Sequence, residues 1–138
     1  MTTATTTEYV TIDGLKLSVK IAGKGRPFLF LHGLCGDALQ PLELFPDDAG
    51  WQCHALESRG HGGSDFGDMR ELSIRRLAED ATAYLESLDR GPAVIGGVSM
   101  GAAIALRLTA DRPELAEGLV LGRPAWVDQS APPNLEPH

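Results

Sequence analysis

Four short runs mark the chain as candidate interior strands: Pro27–Leu31 (PFLFL), which is continuously apolar, then Trp51–Leu56 (WQCHAL), Ala93–Val98 (AVIGGV) and Gly118–Leu121 (GLVL). A strand with one wet face alternates polar and apolar residues. A run without alternation is what a strand in the interior of a sheet, covered on both faces, carries. Between the runs lie segments of helical period. Ser73 is placed to cap a helix whose Ile74, Leu77, Ala78, Ala81, Tyr84, Leu85 and Leu88 form one apolar stripe, ended by Gly91-Pro92. A second helix runs from about Met100 to Ala110 and is stopped by Pro113. Strands alternating with helices build a parallel sheet.

The chain enters this alternation through a different signal. In YVTI-DG-LKLSVKI, Leu15, Leu17, Val19 and Ile21 alternate with Lys16, Ser18 and Lys20, after an Asp13-Gly14 pair suited to a tight turn of positive φ. This predicts a hairpin with a half-exposed second strand. The fold class is therefore α/β, parallel after its first strands. Residues 1–8 are expected to be a polar, flexible tail, residues 9–127 the core, and residues 128–138 a proline-rich tail without periodicity.

Composition narrows the function. A chain of 138 residues, 43% hydrophobic and 22% charged, suits one globular domain. A net charge of -7, with no basic patch, argues against nucleic acid and anionic membrane surfaces as partners. The longest uncharged apolar run, Pro92 to Leu106, falls short of the roughly 20 residues that a membrane span needs. The start of the chain lacks the basic and apolar regions of a secretory signal. Cys35 and Cys53 form no disulfide framework, and neither they nor His32, His54, His61 and His138 show metal-ligand spacing. The expectation is a reduced cytoplasmic protein with no metal.

Three glycine-bearing turns carry the chemistry. Gly97-Val98-Ser99-Met100-Gly101 fits G-x-S-x-G directly after a predicted strand and opening a predicted helix, the context of a nucleophile elbow. There Ser99 is the nucleophile and the Met100 N–H faces the developing oxyanion, aided by the helix N-terminus. The plain alternative is a glycine-rich turn with a serine N-cap. Second, the Phe28–Leu31 strand runs into His32-Gly33; in an acyl-transfer site this loop supplies a second oxyanion donor, the Leu34 N–H. Here His32 orders the loop rather than acting as base, and the alternative is a plain strand-to-loop turn. Third, Glu57–Asp65 (ESRGHGGSD) reads as a structural turn whose polar groups satisfy one another, with His61 as a base the minor alternative.

Taken in order, H-G, R-G-H-G-x-S and G-x-S-M-G, each after an apolar strand, resemble the α/β-hydrolase superfamily from the hairpin to Trp126. Arg112–Trp126 (RPELAEGLVLGRPAW) is similar to that family's helix-to-strand-six segment. Glu57 stands where the family usually has Asp. The resemblance implies a sheet ordered 1-2-4-3-5-6-7-8 with only the second strand antiparallel and helices on both faces, here truncated after strand six. It implies Ser99 as nucleophile, Leu34 and Met100 as backbone oxyanion donors, His32, Gly33, Gly97 and Gly101 as supports, and a triad in the order Ser, Asp or Glu, His. It implies a small-molecule acyl substrate and no organic cofactor or metal. Ser rather than Asp at the elbow argues against dehalogenases and epoxide hydrolases. Met100 is similar to enol-lactonase-like and haloperoxidase-like members. A nucleotide-binding Rossmann domain is excluded, since no G-x-G-x-x-G follows the first interior strand.

No residue matches the family's catalytic histidine. His138 ends the proline-rich tail, and Asp128 follows strand six, where some members carry the acid. The expected function is a serine hydrolase acting on an ester, thioester or lactone, incomplete in this chain. The alternative is a catalytically inactive remnant or a binding module. An uncovered strand-six edge invites pairing with a second chain, so a homodimer through that edge is expected.

Overall fold

The computed structural model describes residues 5–32, 50–61, 63–68, 70 and 72–124. The elements are β1 (Thr5–Ile12), β2 (Leu15–Gly23), β3 (Arg26–Leu31), β4 (Trp51–Leu56), α1 (Ile74–Leu88), β5 (Ala93–Ser99), α2 (Met100–Asp111), a short 3-10 turn (Pro113–Leu115) and β6 (Ala116–Pro124). They form one sheet in the order β1-β2-β4-β3-β5-β6. β2 runs antiparallel to both its neighbours, whereas β4, β3, β5 and β6 are mutually parallel. The expected order and the single antiparallel strand are therefore present through strand six.

Asp13 and Gly14 close the first hairpin with φ of 50° and 80°. Side chains of this sheet sort by parity. Leu17, Val19, Leu29, Leu31, Leu56 and Ile95 join Leu77, Ala81, Leu85, Ile104 and Leu108 of the helices in one buried cluster. A fully buried leucine contributes about 1.5–3 kcal/mol, so among the described residues this layer carries most of the apolar stabilisation. On the opposite face Ala22 and Cys53 are buried with Phe28 and Phe30 against them. Both described helices lie on the first face.

α1 starts where the sequence places it: the Ser73 Oγ accepts from the Arg76 N–H at 3.0 Å. It ends at Asp89, whose φ of 51° is left-handed, two residues ahead of Gly91. The stripe is buried as expected, but Asp80 is buried within it. Its carboxylate accepts from Arg59 Nε at 2.8 Å and Nη2 at 2.9 Å, with both side chains almost wholly shielded from solvent. Removing one partner of such a pair costs about 3–5 kcal/mol.

Three expectations are corrected. Thr5–Glu8 are not a flexible tail: they pair with Val19–Ala22 of β2, and β-branched threonines suit a strand. The second strand is less exposed than its alternation suggests. Ser18 is fully buried because the turn after β4 folds over it. The final strand is also longer than GLVL, because its pairing with β5 runs on to Pro124. Among the described residues no helix is long and apolar enough to cross a membrane. Residues 125–138, including the expected tail from 128, lie outside the described residues.

Candidate active site

Strand register decides where the three motifs meet. Leu31 lies opposite Leu56 of β4 and opposite Gly97 of β5. The last residues of β3 and β4 are thus level with Gly97, two residues short of the end of β5, and His32, Glu57 and the Ser99 turn all leave the sheet at one end. This carboxyl end of a parallel sheet is where sites of open α/β folds form.

The Ser99 turn is built by close approach. A Cβ at Gly97 would collide with the Gly101 backbone, and one at Gly101 would collide with the Leu31 carbonyl. Only glycine lets β5 turn straight into α2 while α2 rests on the end of β3. Between them Ser99 takes φ 55°, ψ -117°, a conformation costly for a residue with a side chain. The β5–β6 register shifts between Val98 and Ser99, so the strain sits at a break in the ladder. Ser99 occupies the N-cap position of α2, yet its side chain makes no capping hydrogen bond. The plain serine N-cap reading is thereby set aside: the hydroxyl does not serve the helix. The first turn of α2 carries no acidic residue to offset the positive end of the helix.

His32 is buried, and its Nε2 accepts from the Ser58 N–H at 3.0 Å. The ring packs on His61, 4.9 Å between centroids. His61 donates through Nδ1 to the Arg59 carbonyl at 3.1 Å. Each histidine thus has a ring nitrogen engaged by backbone. The Glu57–Asp65 turn is closed on itself as expected. Ser64 Oγ donates to the Glu57 carbonyl at 2.6 Å and accepts from the Ser18 N–H at 2.8 Å. Glu57 Oε1 accepts from the Gly63 N–H at 3.2 Å, work for which Glu suffices in place of Asp.

Of the residues singled out from sequence, His32, Gly97, Ser99, Met100 and Gly101 gather at this sheet end. Gly33, Leu34, Cys35, Asp128 and His138 lie outside the described residues. Two buried groupings escaped the sequence. One is Arg59–Asp80, whose only signal is a carboxylate inside an apolar stripe. The other joins β4 to α1: His54 Nδ1 meets the Tyr84 hydroxyl at 2.7 Å and Nε2 meets Gln52 Oε1 at 2.9 Å. Burial, with Arg90 nearby, pushes His54 down to about 4, and burial pushes the Cys53 thiol up to about 12. Cys53 therefore stays a protonated thiol, no nucleophile at neutral pH. Among the described residues no three His, Cys, Asp or Glu side chains cluster to hold a metal.

Residues 26–136 match the family model of the alpha/beta hydrolase fold. BpoC of Mycobacterium tuberculosis, which bears a non-heme bromoperoxidase name, is 37% identical over 102 residues, 72% of this chain and 38% of that protein. The 2-(acetamidomethylene)succinate hydrolase of Mesorhizobium japonicum is 30% identical over 113 residues, 80% of this chain and 40% of that enzyme. Among solved structures, Est816, an N-acyl homoserine lactone degrading enzyme, superposes with a TM-score of 0.74 at 31% identity, over 83% of this chain and 44% of that one. The chain thus spans about two fifths of the length of the curated relatives it matches.

Proposed function

This chain belongs to the α/β-hydrolase family, and we propose that it carries the nucleophile half of a serine hydrolase acting on an ester, thioester or lactone. The observation that carries the reading is Ser99 itself: a non-glycine residue at φ 55°, between glycines that admit no side chain, with a hydroxyl that does not cap its own helix. Strain of this kind concentrates at functional sites because something other than stability retains it. Two relatives add support, since their names describe hydrolysis of 2-(acetamidomethylene)succinate and degradation of an acyl lactone.

In the proposed reaction the Ser99 Oγ attacks the acyl carbonyl carbon. The tetrahedral oxyanion is received by the Met100 N–H at the start of α2 and by the Leu34 N–H. Collapse expels the alcohol or thiol and leaves an acyl group on Ser99, which water then releases. The Ser99 proton must pass to a base, and the family's histidine has no counterpart among His32, His54, His61 and His138. His32 spends its accepting Nε2 on the Ser58 N–H, His54 is held between Tyr84 and Gln52, and His61 belongs to the Glu57–Asp65 turn through its Nδ1–H to the Arg59 carbonyl. The base, and the acid that orients it, are therefore assigned outside the described residues.

The alternative is an inactive remnant that keeps the elbow as scaffold. A fluorophosphonate probe followed by intact-protein mass measurement separates the two, with Ser99→Ala as control. A single adduct, absent from the variant, is the expected outcome of an activated Ser99. No adduct on folded protein would sink the hydrolase reading of this chain and leave the remnant.

A further inference from the structure

Asp13-Gly14 is the one Asp-Gly pair of the sequence, and no Asn-Gly occurs in it. The pair forms the two-residue turn between β1 and β2, with Ile12 set against Leu15 across it. Asp13 takes φ 50° and Gly14 φ 80°, the left-handed conformations that a tight hairpin turn of this kind requires. The Asp13 side chain is 67% exposed, and a Cβ on Gly14 would meet nothing within 4 Å. A carboxyl group therefore stands beside a main-chain N whose own residue gives it no steric cover.

That juxtaposition carries a chemistry of its own. The Gly14 N can attack Asp13 Cγ in its carboxylic acid form. A C–N bond forms, a Cγ–O bond breaks, and the acid hydroxyl leaves with the amide proton as water. The product is a five-membered succinimide. Water then opens it. Opening at Cγ restores aspartate, whereas opening at the main-chain carbonyl routes the backbone through Cγ and leaves a β-linked isoaspartate with a free α-carboxylate. No oxidant and no partner other than water is consumed.

The fold opposes the first step. Asp13 Oδ2 accepts from Arg76 Nη2 of α1, which turns the carboxyl toward the helix. Arg76 is itself placed by Glu79 at 3.7 Å and by Asp80 at 3.8 Å. An ion pair with one exposed partner is weak, so it slows the reaction without forbidding it.

We infer that Asp13 is a site of self-modification, isomerising to isoaspartate through Gly14, and that Arg76 restrains the reaction. The added backbone carbon does not fit a two-residue turn, so the product loses the register of the hairpin end. The damage lies close to the candidate site: Lys16 exchanges two 2.9 Å bonds with Asp65 of the turn that carries His61. The inference is independent of whether Ser99 is activated.

The test is incubation of the folded 138-residue chain near neutral pH for weeks, with Arg76→Gln and Asp13→Glu beside it. Peptide mapping with electron-transfer fragmentation locates isoaspartate, and circular dichroism checks each fold. Glu cannot close the five-membered ring. The expected result is isoaspartate at position 13 above that at every other aspartate, several-fold faster in Arg76→Gln and absent from Asp13→Glu. High salt on the unaltered chain gives a second reading that needs no variant: it screens the ion pair, so the rate at Asp13 rises relative to that of a synthetic peptide of residues 9–19. Isoaspartate formed by the peptide but not by the folded chain would overturn the inference, as would an even spread over the aspartates. Rates indifferent to both Arg76→Gln and salt would overturn the role of Arg76.

Discussion

A serine at φ 55° with no capping bond is a residue held against its own preference. The cost of such a conformation is about 1–3 kcal/mol. Glycine would release it, at an entropic penalty of about 0.5–1 kcal/mol from the unfolded chain. Ser99→Gly is therefore expected to stabilise the fold by about 1 kcal/mol while abolishing probe labelling. Urea unfolding of the two proteins measures it, and a lower midpoint for the variant would show that Ser99 is not strained. The flanking glycines act for a different reason. Gly101 needs no unusual φ; it needs the absence of a Cβ, since the Leu31 carbonyl occupies that space.

Two elements are held together by a proton whose position can be deduced. Arg90 Nη1 reaches Gln52 Oε1 at 2.6 Å, and a guanidinium only donates, so that atom is an acceptor. His54 must then donate through Nε2 and accept the Tyr84 hydroxyl proton at Nδ1. Neutral His54 satisfies every partner; protonated His54 would place a second positive charge in a buried site beside Arg90. This agrees with its ring being held down to about 4 while burial, with Glu8 nearby, raises the Tyr84 hydroxyl. The unfolded chain, with a histidine near 6.5, takes up the proton first. Stability from this group is thus complete above about pH 7, declines as pH falls below 6.5, and stops declining near 4. Linkage puts the loss between pH 7 and pH 5 at about 2 kcal/mol. Urea midpoints of the native chain and His54→Asn at those two pH values check it: the variant should lose that much less on acidification. Equal losses would mean His54 is not held neutral.

Over the whole molecule, strand register brings the Ser99 turn, His32 and the Glu57–Asp65 turn to one sheet end, and on the reading proposed above the base for Ser99 lies outside the described residues. Binding and oxyanion donors alone retain about 10³–10⁴-fold over the uncatalysed rate when a triad is incomplete. Turnover of a p-nitrophenyl ester by this chain is expected within that range and little changed by Ser99→Ala. A rate several orders of magnitude higher, and lost in Ser99→Ala, would mean that a group such as His138 serves as base.

The local order of this protein was legible in its residues because it rests on short-range chemistry. The Asp13-Gly14 turn, the Ser73 cap, the apolar runs and the glycines around Ser99 each state their structure within a few positions, and together they disclosed the α/β class and the tight strand-to-helix turn at Ser99. What only the tertiary structure decided are pairings between distant residues with no local signature: Ser18 under Ser64, 46 positions apart; His54 against Tyr84, 30 apart; Arg59 against Asp80, 21 apart. Strand register belongs with these. It makes Leu31, Leu56 and Gly97 level, and so turns three separate glycine turns into one sheet end. Alternation tells a strand which face to bury. How far it slides along its neighbour is settled by packing over the whole sheet, and at the β5–α2 turn the observed fit requires that Gly97 and Gly101 carry no side chain.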